Sequence, residues 1–191
     1  MKPLLKGRLV RLSAMDAEEM SKYFAAWNRD SELMRLMDSG PSVPHSAKKS
    51  KEWLEKQLNE LGQARYWFTI RALEDGCLLG DIELEITDWN RREAFVGLGI
   101  GPSEFRGKGY GTEAMQLALE YAFLELNLNR VTLNVFEYNP RAVRSYEKAG
   151  FRHEGRMREA LFREGRRWDL IYMGILRQEW MEKYGCNPGN E

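Results

Sequence analysis

The stretch from Phe105 to Thr112 holds the residues whose types and spacing best suit chemistry. Glycines stand at the alternate positions 107, 109 and 111, and Arg106 and Lys108 precede the first two. Because glycine has little bulk and tolerates positive φ, consecutive backbone N–H groups can converge on one point. A helical pattern follows from Ala114 to Leu124, so these donors would lie at a helix N-terminus, where the dipole favours an anion. The stretch therefore predicts a loop that binds a phosphate or pyrophosphate.

Spacing excludes two common phosphate-binding motifs. A P-loop needs four residues between its first glycine and a Gly-Lys-Ser/Thr sequence, which this stretch lacks. The dinucleotide-binding fingerprint needs a glycine where Thr112 stands and an acidic residue at the end of a second strand. The strand predicted from Val131 to Phe136 has no such acid. A plain glycine-rich connection with solvated charges is the alternative, and the loop alone does not decide between the two.

The strand predicted before the loop, Ala94 to Ile100, is also rich in glycine. Gly97, Gly99 and Gly101 are two residues apart and therefore share one face. Glycine weakens a strand interior and often marks a bulge or a ligand that lies close to the backbone. We therefore predict that a long ligand runs from the loop along this strand and hydrogen-bonds to its backbone.

A third pattern lies in the strand predicted from Leu78 to Thr87, where Asp81, Glu83 and Glu85 alternate with apolar residues. This alternation is typical of a half-exposed strand with a solvated polar face. If that face borders the ligand instead, it would attract a cationic amine. Glu85, the carboxylate nearest to the following turn, is then the candidate general base.

The elements that must position these groups have recognisable ends. After the strand from Val131 to Phe136, Asn139 suits an N-cap, Pro140 the first helical position and Gly150 the residue that ends the helix. Tyr146 falls on the apolar face of this helix. Packing in the core therefore explains Tyr146 without any catalytic role.

The composition is that of an ordinary globular domain. Its 191 residues predict one domain over residues 1–183 and a disordered tail over 184–191. Lysine and arginine number 29, as do aspartate and glutamate, so no net field favours nucleic acid or an anionic membrane. Two cysteines and two histidines make neither a metal site nor a disulfide framework. With no signal peptide or membrane span evident, a cytoplasmic location is expected.

Two motifs together resemble those of the GNAT superfamily of acyl-CoA-dependent N-acetyltransferases. Residues 106–111 match its signature Gln/Arg-x-x-Gly-x-Gly/Ala, and Asn139 to Phe151 resembles its second motif. They occur in the right order, separated by a helix and a strand, which makes the pair far more specific than either alone. The stretch from Glu154 to Asp169 also resembles the Rim-type (ribosomal-protein N-terminal) acetyltransferases and the related spermidine acetyltransferases.

The resemblance implies an α/β fold: one bent, mixed sheet of six or seven strands with helices on both faces. The strand before the loop and the strand after its helix would splay apart, and the acyl-pantetheine arm would lie in the gap. Backbone amides of the loop would hold the pyrophosphate. The cofactor-binding residues implied are Gly99, Ile100, Gly101, Arg106, Gly107, Lys108, Gly109, Tyr110, Gly111, Thr112, Asn139 and Arg144.

The resemblance further implies direct transfer of an acetyl group from acetyl-CoA to a primary amine, without a metal. Tyr146 is where the family has its general acid, whereas no base carries over, so Glu85 stays the candidate from the acidic strand. An N-terminal α-amine has a pKa near 7.7–8.0 and is partly neutral at pH 7, unlike an amine with a pKa near 10.4. A protein or peptide N-terminus is therefore the expected acceptor.

Several alternatives stay open. A polyamine or another small amine is the second acceptor, favoured by the acidic strand. A non-catalytic acyl-CoA-binding module would use the same loop without turnover. A dinucleotide-binding oxidoreductase is disfavoured by the missing acid. The expected partners are acetyl-CoA and an amine, without nucleic acid or membrane, and a homodimer is one option for the assembly.

Overall fold

Seven strands form one mixed sheet in the order β1-β2-β3-β4-β5-β7-β6, in a computed structural model that describes residues 3–60 and 64–185. The strands are β1 (Val10–Ala14), β2 (Arg65–Ala72), β3 (Leu78–Asp88), β4 (Glu93–Ile100), β5 (Arg130–Phe136), β6 (Arg152–Arg163) and β7 (Arg166–Leu176). The α-helices of the described residues are α1 (Ala17–Trp27), α2 (Ser31–Met37), α3 (Ala47–Glu60), α4 (Tyr110–Glu120), α5 (Pro140–Ala149) and α6 (Arg177–Tyr184). The predicted α/β fold with a mixed sheet is confirmed.

The first two residues of the predicted tail belong to the end of the last helix. Tyr184 is the last residue of α6, and Gly185 ends that helix in the left-handed conformation. The prediction of a tail from residue 184 was therefore wrong for these two residues, because a regular C-cap follows the helix. The rest of the predicted tail, 186–191, lies outside the described residues. No helix in the described part of the chain is long and apolar enough to cross a membrane.

Alternate residues of β4 show which helices cover each face of the sheet. A side chain added at Gly111 of α4 would lie 3.4 and 3.5 Å from atoms of Leu98 and Ile100, which therefore point toward α4. Gly99, between them, faces the other side, where Met37 of α2 packs. Helices thus cover both faces, as the resemblance implied.

The core has two parts, one on each side of the sheet. The larger part packs α4 and the turn after it against the strands, with Met115, Leu119 and Phe123 fully buried. A smaller cluster packs α1 and α3 against β2 and β3; its buried members are Met20, Leu54, Trp67 and Leu78. The sheet is therefore held from both faces on the side of β1 to β4.

The sheet opens between its two central strands. β4 and β5 pair in parallel only where Glu93–Phe95 meets Arg130–Thr132. Beyond that point β4 pairs only with β3, as far as Ile100, and β5 only with β7, as far as Phe136. A gap therefore separates the carboxyl ends of two adjacent strands, as the resemblance implied.

Each strand that borders the gap leads into a helix. Gly109, at φ +92°, is the N-cap of α4 and offers no side-chain cap. Asn139 is the N-cap of α5, where its Oδ1 accepts a hydrogen bond of 3.1 Å from the Ala142 N–H, and Pro140 follows at the first helical position. Gly150 ends α5 at φ +109°. The predicted ends of α5 are confirmed.

Candidate active site

A cavity of about 770 Å³ occupies the gap between β4 and β5. On one face of the sheet it is lined by the glycine loop and by the first turns of α4 and α5. On the other face it is lined by the end of α2 and by residues of β6 and β7. A ligand in this cavity would therefore pass between the two strands and meet groups from both faces.

The cavity brings together most of the residues that the sequence singled out. The predicted cofactor-binding residues that line it are Gly99, Ile100, Arg106, Gly107, Gly109, Gly111, Thr112, Asn139 and Arg144. Gly101, Lys108 and Tyr110 are not among the lining residues. Of the two predicted catalytic residues, Tyr146 lines the cavity and Glu85 does not.

The loop has the backbone conformation that an anion site requires. Gly107 and Gly109 have φ of +79° and +92°. Because α4 starts at Tyr110 without a side-chain cap, its first backbone N–H groups have no intrahelical acceptor. A side chain at Gly107 would meet no atom within 4 Å, so space is free beside the loop. These donors and this space fit a pyrophosphate.

The side chain of Arg106 has several partners within the protein. It is only 6% exposed, and its Nη2 lies 2.7 Å from Asp30 Oδ2. Its guanidinium also donates to the backbone carbonyls of Ile100, at 3.2 Å, and Gly101. The side chain therefore fixes the loop to the end of β4 and to the start of α2.

The three glycines on one face of β4 have three different surroundings. Gly97 has no atom within 4 Å of the position of a Cβ and lines the cavity. At Gly99 the Cε of Met37 lies 3.0 Å from that position. At Gly101 a Cβ would overlap the ring of Trp27, with a separation of 2.0 Å. Only Gly97 therefore leaves free space, and packing accounts for Gly101.

The carboxylates of β3 share the face of Gly97 and Gly99 but do not line the cavity. Glu83 forms an ion pair with Arg65, with 2.8 Å between Oε2 and Nη2. Asp81 Oδ2 accepts a hydrogen bond of 2.9 Å from Trp67 Nε1. Glu85 is exposed. Two of the three carboxylates that the sequence offered as a binding surface for a cationic amine, Asp81 and Glu83, therefore have partners on β2.

Burial raises the pKa of Asp81 to about 6, and the charge of Glu83 acts in the same direction, whereas the bond from Trp67 lowers it. An aspartate with such a pKa changes its charge near neutral pH. Because the pKa of Asp81 is higher in the folded state than in the unfolded state, the protonated carboxyl group stabilises the fold. This contribution to stability is fully present at low pH and is lost as the pH rises toward 6.

Tyr146 lies on α5 with its side chain at the cavity. Burial raises the pKa of its hydroxyl to about 12. Its ring packs against Phe151, with centroids 6.1 Å apart. Among the described residues the hydroxyl has no hydrogen-bond partner, so it is available to a ligand. Tyr146 therefore packs through its ring and also borders the cavity.

Cations of α5 line the same end of the cavity as the loop: Arg141, Arg144 and Lys148. Thr112 Oγ1 and Ser145 Oγ lie 2.7 Å apart and join α4 to α5. The loop donors and the α5 cations together suit a ligand with several phosphates. Within residues 3–60 and 64–185, no group of His, Cys, Asp and Glu side chains could hold a metal ion.

Sequence reasoning missed the residue that holds the opposite wall, Arg163 at the end of β6. Its Nη1 donates to the Arg35 carbonyl, at 2.6 Å, and to Tyr138 Oη, at 2.7 Å. Its Nη2 donates to the carbonyls of Asp38 and Ser39, each at 3.2 Å, and to that of Gly40, at 3.0 Å. These carbonyls belong to the end of α2 and the turn after it. We call these contacts the Arg163 clamp.

This chain is similar to known acetyltransferases. Residues 8–152 match the family model described as acetyltransferase (GNAT) domain. The SPbeta prophage-derived N-acetyltransferase YokL of Bacillus subtilis is 34% identical over 157 residues, or 82% of this chain and 85% of that protein. YdaF of Bacillus subtilis, whose name associates it with ribosomal N-acetylation, is 40% identical over 108 residues, or 56% of this chain and 58% of that protein.

A solved structure is also similar to most of this chain. The spermidine N-acetyltransferase of Vibrio cholerae in complex with CoA and spermine is similar to this chain with a TM-score of 0.79 and 27% identity. The similarity covers 91% of this chain and 98% of that one.

Proposed function

Because this chain belongs to the GNAT family of N-acetyltransferases and uses acetyl-CoA as its acetyl donor, we propose that it acetylates the N-terminal α-amine of a protein or peptide. The observation that carries this choice is the chemistry of the wall formed by α2 and by the strands β6 and β7. Its apolar lining residues are Leu33, Leu36, Met37, Met157, Ala160 and Leu170. Asp38 is the one carboxylate among the described lining residues.

A single carboxylate in apolar surroundings suits a single ammonium group. A polyamine carries a charge on each nitrogen, and burial of an unpaired charge is unfavourable. The carboxylates that could match a polycation, on β3, lie outside the lining and partly have partners of their own. A peptide N-terminus has one ammonium, near Asp38 in our proposal, and an uncharged chain behind it.

The proposed mechanism is direct transfer. The donor's phosphates would lie against the loop amides and the α5 cations, and its acyl arm would pass through the gap between β4 and β5. The neutral amine would attack the thioester carbonyl from the α2 face, and the Tyr146 hydroxyl would donate a proton to the leaving thiolate. Since burial keeps the pKa of Tyr146 at about 12, the hydroxyl remains protonated over the physiological range.

A polyamine is the second candidate acceptor, because the spermidine acetyltransferase of Vibrio cholerae is similar over nearly its whole length. The test compares kcat/KM for a short peptide with a free N-terminus, the same peptide with a blocked N-terminus and an internal lysine, and spermidine. We expect the free peptide to be the best substrate and the blocked peptide to be inactive. Asp38→Asn should raise the KM of the free peptide about tenfold, as loss of a charge-assisted contact does.

A preference for spermidine would overturn this choice of acceptor. It would reverse the order of the two candidates, and Asp38→Asn would then identify whether the same carboxylate binds the polyamine. The Asp38→Asn substitution keeps the size of the side chain, and the new amide oxygen can still accept from Gly40 N–H, which Asp38 Oδ1 does at 2.9 Å. A change in KM therefore reports on charge rather than on the turn.

The Arg163 clamp predicts an effect on one substrate only. Arg163→Gln removes several hydrogen bonds to the end of α2, so the wall that faces the acceptor should loosen. We expect the KM of the acceptor to rise about tenfold, whereas the affinity for acetyl-CoA, which the other wall binds, should stay within twofold. Kinetics with each substrate varied in turn, and calorimetry with acetyl-CoA, measure the two effects.

Arg158→Gln is the matched control for the clamp. Arg158 is an exposed arginine of the same strand and does not line the cavity. Both constants should remain at the parent values in this variant. Equal loss of acceptor and donor affinity in Arg163→Gln would contradict a local role and indicate general loss of structure.

A further inference from the structure

One carboxyl group lies directly beside the cavity without lining it. Asp81 of β3 is the cross-strand partner of Gly99 of β4. Asp81 Oδ1 lies 3.7 Å from the point where a Cβ would stand on Gly99. Gly99 itself lines the cavity. The carboxyl group is therefore separated from the cavity only by the space above this glycine, on the face where the acceptor is proposed to bind.

The side chain that fills this space is Met37. Its Cε and Sδ lie 3.0 and 3.3 Å from the same point above Gly99. Met37 is 47% exposed and lines the cavity. A methionine has an unbranched side chain that changes rotamer at little energy. Met37 can therefore move aside and admit an amine, or one water, to Asp81.

The surroundings of Asp81 leave one oxygen available. Oδ2 accepts the hydrogen bond from Trp67 of β2, and Oδ1 has no hydrogen-bond partner among the described residues. The neighbouring Thr69 of β2 is directed elsewhere, to the carbonyls of β1. The charged groups beside it are Glu83 on the same strand and the partner of Glu83, Arg65. No cation of the described residues therefore pairs with Asp81.

We propose that Asp81 is the proton acceptor of the reaction, reached across Gly99 when Met37 moves aside. This inference rests on the proposed function. The acceptor would bind as an ammonium ion and give one proton to Asp81, directly or through one water. The resulting amine forms the C–N bond and the C–S bond breaks. The thiolate takes the proton of Tyr146, the second proton of the nitrogen returns to Tyr146, and Asp81 releases its proton to solvent.

The test is the pH dependence of kcat/KM for the free peptide in the parent and in Asp81→Asn. In the parent, the low-pH limb should have an apparent pKa of about 6, and kcat/KM should change less than about twofold between pH 6.5 and 7.5. Without the proton acceptor, only the neutral amine reacts. The kcat/KM of Asp81→Asn should therefore rise roughly tenfold per pH unit until the amine pKa near 7.7–8.0. A flat profile in this variant would overturn the proposal.

Two further variants keep the test decisive. Trp67→Phe removes the hydrogen bond that lowers the pKa of Asp81, so the low-pH limb should move to higher pH; an unmoved limb would overturn the proposal even if Asp81→Asn fails to fold. Glu85→Gln tests the carboxylate favoured by the sequence. The low-pH limb of kcat/KM should persist in Glu85→Gln. Loss of the limb in this variant would identify Glu85, rather than Asp81, as the proton acceptor.

The outcomes also separate this inference from the proposed function. If Asp81→Asn acetylates the free peptide with an unaltered pH profile, the role of Asp81 as proton acceptor is refuted, whereas the proposed function is not. Inactivity of the parent toward every peptide with a free N-terminus would refute the proposal that the acceptor is an N-terminal α-amine. With spermidine as the substrate, the same pH comparison would still test Asp81.

Discussion

Tyr146→Phe should lower kcat by about 10²- to 10⁴-fold, the range of general acid catalysis, and leave the affinity for acetyl-CoA unchanged. The hydroxyl makes no hydrogen bond to the described residues, so its removal leaves no partner unsatisfied. The ring and its contact with Phe151 remain in the variant. The loss would therefore report on the proton that the hydroxyl supplies. Single-turnover kinetics with saturating donor would measure it.

Tyr121→Phe is the matched control. Tyr121 is also a partly buried tyrosine whose pKa is raised, mainly by burial, and its ring packs against Phe68 with centroids 5.4 Å apart. It does not line the cavity. Its kcat should stay within twofold of the parent. The same small effect in Tyr146→Phe would leave Tyr146 as a packing residue only.

Gly109→Val should weaken the binding of acetyl-CoA by at least about 100-fold. At φ +92° a β-branched residue is strained, and relief of this strain would turn the first amides of α4 away from the phosphates. Loss of two charge-assisted hydrogen bonds, each about 1.5–3 kcal/mol, accounts for the size of the effect. The nearest atom to an added Cβ, Leu9 Cδ1, is 3.6 Å away, so no clash complicates the result. Calorimetry with acetyl-CoA measures the loss.

Gly76→Val controls for backbone strain. Gly76 has φ of +75° in the turn between β2 and β3 and does not line the cavity. Both variants should lose about 1–2 kcal/mol of stability from the left-handed conformation. Only Gly109→Val should lose donor affinity. Donor binding within threefold of the parent in Gly109→Val would contradict the role of the loop.

The local features of the site could be predicted from the sequence because each depends on residues close in the chain. The ends of α5 follow from the cap at Asn139 and the left-handed Gly150. The loop conformation follows from glycines that occur where positive φ is needed. The two motifs, in their order, also predicted the family and the fold.

Long-range contacts explain what the sequence did not predict. Alternation placed Asp81 and Glu85 on one face of β3. Asp81 differs from Glu85 because it lies opposite Gly99, where Met37 packs, and because it accepts a hydrogen bond from Trp67; both features depend on other elements. Gly101 is small because Trp27 of α1 packs on it, which no local pattern indicates. Arg163 is the last residue of β6, and the carbonyls to which it donates are far away in the chain.

The short pairing of β4 with β5 has a consequence for how this protein unfolds. Only three residue pairs of the sheet join one unit, the strands β1 to β4, to the other, the strands β5 to β7, so side-chain packing in the common core must supply much of the connection between them. The bond between Thr112 and Ser145 links α4 to α5, and the Arg163 clamp links β6 to the end of α2. A donor molecule held by both units would act as a removable cross-link. At 100 times its Kd it would add about 2.7 kcal/mol to the stability of the folded chain, and so the abundance of the enzyme in a proteolytic environment would follow the supply of its own substrate.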